Sequence, residues 1–126
     1  MSSELAYTTT STLVSGCLVV TLPQEIADSL AALQDYVLER VRATGVRRVV
    51  FEFAAVQIID RTEFAGLRAL SKMTNLLGAR TVLVGLSPGI VAWMLTSDID
   101  TGGLEFLRDL NQALGQSGAS QGRGPQ

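Results

Sequence analysis

Histidine is absent from this chain, and cysteine and lysine occur once each, as Cys17 and Lys72. Without imidazole, Ser-His-Asp and Cys-His nucleophilic sites are excluded, together with every zinc site that needs a histidine ligand. A lone cysteine allows no internal disulfide, and within Cys17-Leu18-Val19-Val20 it reads as a small core residue. Catalysis would have to rest on carboxylates, lysine or arginine alone, so an enzyme is not expected. Charge is also scarce: 17% of residues are charged and the net charge is -2, which leaves no electrostatic footprint for nucleic acid or an anionic membrane. Arg47-Arg48 is a basic pair rather than a patch. No apolar run approaches the ~20 residues that span a bilayer, and the first residues lack the basic start and apolar stretch of a signal peptide. A soluble, cytoplasmic protein is expected. Glycine-rich phosphate loops are missing too, with neither GxGxxG nor a Walker lysine motif present, so no cofactor is expected.

What is present is apolar sequence in ordered periods. Hydrophobic residues make up 47% of 126, enough for one domain with a core that needs no staples. Leu5-Ala6-Tyr7-Thr8-Thr9 is β-prone, and Thr12 to Leu22 reads as a second, longer strand broken at Gly16. After Pro23, residues Ile26, Leu30, Leu33, Val37 and Val41 recur at helical spacing and predict a helix over Gln24 to Thr44, stopped at Gly45. Asp28, Asp35, Glu39 and Arg42 fall off that stripe and should meet solvent. Val46 to Phe53 has the continuous apolar run of a strand covered on both faces. A helix from Asp60 to about Leu77 follows, with Phe64, Leu67, Leu70, Thr74 and Leu77 expected inward. Thr81-Val82-Leu83-Val84 is another buried strand. Ser87-Pro88 then opens a short helix to about Leu95, serine as cap and proline in the first turn. Beyond a polar break at Asp98 to Gly103, Leu104, Leu107, Leu110 and Leu114 predict a last helix of about a dozen residues. The domain is expected to occupy residues 1–114, with 115–126 a low-complexity, disordered tail. Strands alternating with helices imply an α/β fold with a small, mostly parallel sheet of about four strands, about four helices and one antiparallel strand near the N-terminus.

The chemistry-bearing segment is Ile58-Ile59-Asp60-Arg61-Thr62-Glu63-Phe64. Asp60 followed three residues later by Glu63 has capping-box spacing, one carboxylate accepting from helix amides and the other reaching back. A strand feeding a short loop and a helix start puts Arg61 and Thr62 on an edge that a partner can reach. A plain helix start explains the same spacing. Gly85-Leu86-Ser87-Pro88-Gly89 sits between strand and helix, where free amides could hold an anion, but turn chemistry accounts for it equally well. Asp98 and Asp100 lack the further ligands of a metal site. Trp93 reads either as core or as a contact anchor.

In this order, the elements resemble the STAS domain, the fold of anti-sigma factor antagonists, and most closely the stressosome scaffold antagonists of the RsbS type. The resemblance is carried by Gly16 to Leu22, Val49 to Phe53, Ile58-Ile59-Asp60, Gly78 to Pro88 and the closing leucine-rich segment, and covers about residues 5 to 114. It implies a non-catalytic scaffold that assembles with itself and with related sensor-bearing STAS proteins, sequesters a serine/threonine switch kinase and is regulated by phosphorylation near the helix start. The alternative it leaves is a free antagonist binding a kinase-type anti-sigma factor. In that family the residue after the aspartate is a serine or threonine that the kinase phosphorylates; here it is Arg61, which cannot accept a phosphoryl group. Three readings stay open: Thr62 has taken over as acceptor, the site is permanently unmodified, or the residue is altered from a parental serine. Thr96 and Ser97 are weaker acceptor candidates. The partner-binding loop implied is Asp60, Arg61, Thr62 and Glu63.

Overall fold

The computed structural model describes residues 10–26 and 29–115. The strand expected at residues 5 to 9, Asp28 and nearly all of the expected tail lie outside them. A single five-stranded sheet runs in the order β1-β2-β3-β4-β5. Its strands are β1 (Thr10–Val14), β2 (Cys17–Thr21), β3 (Arg48–Glu52), β4 (Arg80–Val84) and β5 (Glu105–Leu107). β1 pairs antiparallel with β2, while β2, β3, β4 and β5 are parallel neighbours. Between them lie α1 (Leu30–Thr44), α2 (Arg61–Leu76) and α3 (Pro88–Thr96), with a further helical segment at 110–115. The α/β class and the mixed, mostly parallel sheet are as expected, with one strand more than about four.

Two expectations change. The long strand over Thr12 to Leu22 is a hairpin: Ser15 and Gly16 carry φ values of 51° and 78°, so the chain reverses and pairs Val14 with Cys17. Positive φ at both turn positions matches the twist of the flanking strands, and Gly16 supplies it without steric cost. The last helix is shorter than its leucines suggested. Residues 105–107 form β5 against Val82 to Val84, and only 110–115 are helical. Leucines spaced three and four apart suit a helix stripe, but pairing with β4 satisfies the backbone at this point instead.

Smaller departures have local causes. α1 begins at Leu30 rather than Gln24, because Glu25 bridges to Ile58 and the Gln24 carbonyl accepts from the Gln57 amide at 3.1 Å. Ile26 is buried all the same. Leu77 falls past the end of α2 and is 45% exposed, against an expected inward position.

Side chains alternate across the strands, giving the sheet two covered faces. Leu18, Val20, Val49, Phe51 and Leu83 join Leu33, Val37, Phe64 and Leu67 of α1 and α2 in the main core. Cys17, Val19, Val50, Val82 and Val84 form a second cluster closed by Ala113, Leu110 and Leu114. Cys17 is a core residue, fully buried. At roughly 25 cal/mol per Å² of apolar surface removed from water, burying such side chains dominates the stability of the domain. The strands therefore hold their C-terminal ends, and the helix starts that follow β3 and β4, in fixed positions.

Candidate functional site

The start of α2 is built by β3 and the loop behind it. β3 ends at Glu52, and Phe53 continues the ladder with its amide donating to the Val84 carbonyl at 2.9 Å. Phe53, Val56 and Ile59 are buried anchors of the loop, whereas Ile58 between them is 62% exposed. Asp60 is extended (φ -107°, ψ 178°) and caps α2. Its Oδ1 accepts from the Glu63 amide at 2.8 Å, and Glu63 Oε1 accepts from the Asp60 amide at 2.9 Å. This reciprocal pair is the capping box expected from the spacing, and it satisfies two amides that a helix start leaves without partners.

With both carboxylates committed to backbone, Arg61 reaches elsewhere. Its Nη2 donates to the Ser97 carbonyl at 2.6 Å, at the far end of α3, where Ser97 is the C-cap. Phe64 packs edge-on against Trp93, with centroids 6.5 Å apart and planes at 67°. Arg68 Nη2 lies 3.2 Å from Asp100 Oδ2. Arg61, Phe64 and Arg68 follow the i, i+3, i+7 spacing of one helix face, so one stripe of α2 holds α3 and the loop after it. This docking was not anticipated from the sequence. Its signal was present in the spacing of those three residues, but their partners lie on another element.

Thr62 is exposed on the first turn of α2. Thr96 is exposed as well, but its Oγ1 donates back to the Ala92 and Trp93 carbonyls at 3.0 and 3.3 Å. Ser97 is half-buried and meets Arg61 through its carbonyl. The structure thus brings Arg61 and Ser97 together and leaves Thr62 facing solvent beside them. Trp93 is half-buried, packed against the main core. With Ile58, Ile59, Ser87 and Ile90 it lines a shallow depression of about 330 Å³ between the two helix starts. In the 85–89 loop Gly85 N donates to the Arg108 carbonyl at 3.1 Å, and Ser87 Oγ accepts from Ile90 N at 3.2 Å. Turn and cap chemistry accounts for it. The other flank of α3 borders an apolar groove of about 500 Å³ lined by Val91, Leu95, Ile99 and Phe106 among others.

The family model for the STAS domain matches residues 9–94. Among solved structures, an RsbS variant from Moorella thermoacetica is similar at 18% identity and a TM-score of 0.75, covering 90% of this chain and 97% of that one. A chain from a structure of the stressosome, described there as a signal integration and transduction hub, is similar at 19% identity and a TM-score of 0.75, with 90% and 99% covered. A putative anti-sigma factor antagonist from Thermotoga maritima is similar at 13% identity and a TM-score of 0.72, with 86% and 93% covered. No curated protein sequence matches the chain. At these identities the solved structures speak for the fold, and the family model, matching well over half of the chain, speaks for membership: this chain belongs to the STAS domain family.

Proposed function

We propose that this chain is a non-catalytic scaffold of a cytoplasmic stress-signalling complex, assembling with copies of itself and with related sensor-bearing STAS proteins. It holds a serine/threonine switch kinase through the surface formed by Asp60, Arg61, Thr62 and Glu63 with the depression beside Ile58 and Trp93. The observation that carries this reading is the exposed, rigidly capped start of α2 with an apolar side chain, Ile58, 62% exposed next to it. An exposed apolar residue at the rim of a depression suits a partner contact, and a hydroxyl on the first turn suits regulation by charge. Thr62 is the acceptor on this reading, since its hydroxyl is on that surface and Thr96 Oγ1 is bonded within its own helix. The similar folds of RsbS and of a stressosome chain favour the scaffold over a free antagonist. A phosphate adds about -1.5 to -2 charge, enough to disturb a docked kinase.

The test is to mix purified protein with a cognate switch kinase and ATP, then map phosphopeptides in the wild type, Thr62→Ala and Arg61→Ser. Phosphate on Thr62 in the wild type, lost in Thr62→Ala, is the expected result. Neither complex nor phosphate with the kinase would remove the reading. The second reading, a free antagonist of a kinase-type anti-sigma factor, draws on the similarity to the antagonist SpoIIAA at a TM-score of 0.67 and 12% identity. Light scattering separates the two, because a scaffold runs as a large particle and a free antagonist as a monomer.

A further inference from the structure

We propose that Arg61 is a charge-operated latch that fastens the end of α3 to the start of α2, and that an anionic group placed on Thr62 opens it. This rests on the proposed role of Thr62 only for the natural source of the anion. α3 has no basic residue in its last turn, so its negative end, where carbonyls lack helical donors, has no cation of its own. Arg61 supplies one from another helix, through the 2.6 Å bond from its Nη2 to the Ser97 carbonyl. Asp60 and Glu63, the carboxylates nearest in sequence, do not compete, because the capping box holds them on backbone amides.

The latch has a second arm. Arg68 holds Asp100 at 3.2 Å with its side chain only 20% exposed, and Arg61 and Arg68 both line a small cleft of about 90 Å³ with Phe64, Ile99 and Asp100. The segment they fasten needs fastening. Asp98 sits at φ 54°, a left-handed conformation that costs a non-glycine residue free energy unless its surroundings hold it. α3 itself is short and buries only Ile90 and Met94.

The bond to Ser97 pairs a cation with a neutral carbonyl. An arginine pairs more strongly with a phosphate or carboxylate than with a neutral acceptor. On phosphorylation, Thr62 Oγ1 bonds to the γ-phosphorus of ATP as the bond to the β-phosphate oxygen breaks, ADP leaves, and the hydroxyl proton passes to the kinase's base. The new dianion stands on the residue next to Arg61, where the Glu63 amide is already taken by Asp60. Arg61 turns to it, and the end of α3 and the loop to Asp100 are released. An arginine in this place thereby couples the charge of Thr62 to the surface that carries Trp93.

Amide exchange read by mass spectrometry on the full chain tests this without a kinase. The reporters are Ser97 N and Ile99 N, which donate to the Trp93 and Met94 carbonyls. Arg61→Gln should speed their exchange by about threefold to tenfold, the net effect of losing one hydrogen bond at an exposed site, with the unfolding midpoint nearly unchanged. Arg61→Lys should restore part of the protection. Thr62→Glu should speed the same amides in the Arg61 background and add nothing in Arg61→Gln, a non-additivity that a merely local effect of glutamate would not produce. Unchanged exchange in Arg61→Gln, or an equal effect of Thr62→Glu in both backgrounds, overturns the latch. The two readings fail separately: no phosphate on Thr62 with a kinase leaves the exchange result standing, and a negative exchange result leaves the kinase surface standing.

Discussion

α2 and α3 start in the same way and are held in different ways. Each follows a parallel strand of the same sheet, and each has an extended N-cap whose side chain accepts from the amide three residues on, Asp60 from Glu63 and Ser87 from Ile90. α2 then runs sixteen residues and buries Phe64, Leu67, Leu70, Ser71 and Thr74. α3 runs nine residues and buries two. Most helix stability in a protein comes from the packed face rather than from the cap. α2 therefore stands on its own contact with the sheet, whereas α3 borrows its position from the Arg61, Phe64 and Arg68 stripe of α2. The two helix starts look alike in sequence, but only α2 has a long buried face behind its start.

The largest blow to that difference is Phe64→Ala. Phe64 is 1% exposed and touches both the core and Trp93, so chemical denaturation should show a loss of about 3–5 kcal/mol. Its effect should reach both helices, and a loss confined to the signal of α3 would mean that α2 is not the platform. Gly85→Ala comes next. Gly85 has φ +75°, and an added Cβ would stand 2.8 Å from Glu52 Oε2, which leaves a substituted residue strained between β4 and α3. A cost of about 1–3 kcal/mol is expected, read as a lowered thermal midpoint.

The caps give smaller and more telling numbers. Asp60→Ala removes one half of the capping box and should cost about 1 kcal/mol. It also frees Glu63 from its reciprocal role, so urea titration of Asp60→Ala and the double variant with Glu63→Ala should show non-additive losses. Ser87→Ala should cost about 0.5 kcal/mol, since its bond to Ile90 N is longer at 3.2 Å and Pro88 already sets the helix entry. Exchange at the first amides of α3 would sharpen the contrast: a rise limited to that turn keeps the hold on its far end, where Arg61 sits.

Much of this was readable from residue patterns. The α1 stripe of Leu33, Val37 and Val41 is buried, and Asp35, Glu39 and Arg42 are exposed, because a helix of period 3.6 shows its core face in its own spacing. The Asp60 to Glu63 box and the Ser87-Pro88 start were legible for the same local reason. The Ser15-Gly16 reversal was missed because an unbroken β-prone run on both sides of one glycine hides a two-residue turn. β5 was missed because Leu104, Leu107 and Leu110 satisfy a helical stripe, and nothing within that stretch announces Val82 to Val84 as a partner. For the candidate site, the sequence placed Thr62 and Arg61 at an exposed helix start but not what Arg61 holds.

The sequence by itself thus determined the three longer helices, the central strands β3 and β4, the caps of α2 and α3, and the absence of imidazole chemistry. These follow from neighbours within a few residues of one another, whose energies do not wait on the fold. Only tertiary structure decided that Arg61 bonds to Ser97, 36 residues away, that Phe64 meets Trp93, and that Arg68 meets Asp100. Such pairs depend on the parallel sheet setting α2 beside α3, and no local spacing encodes that distance.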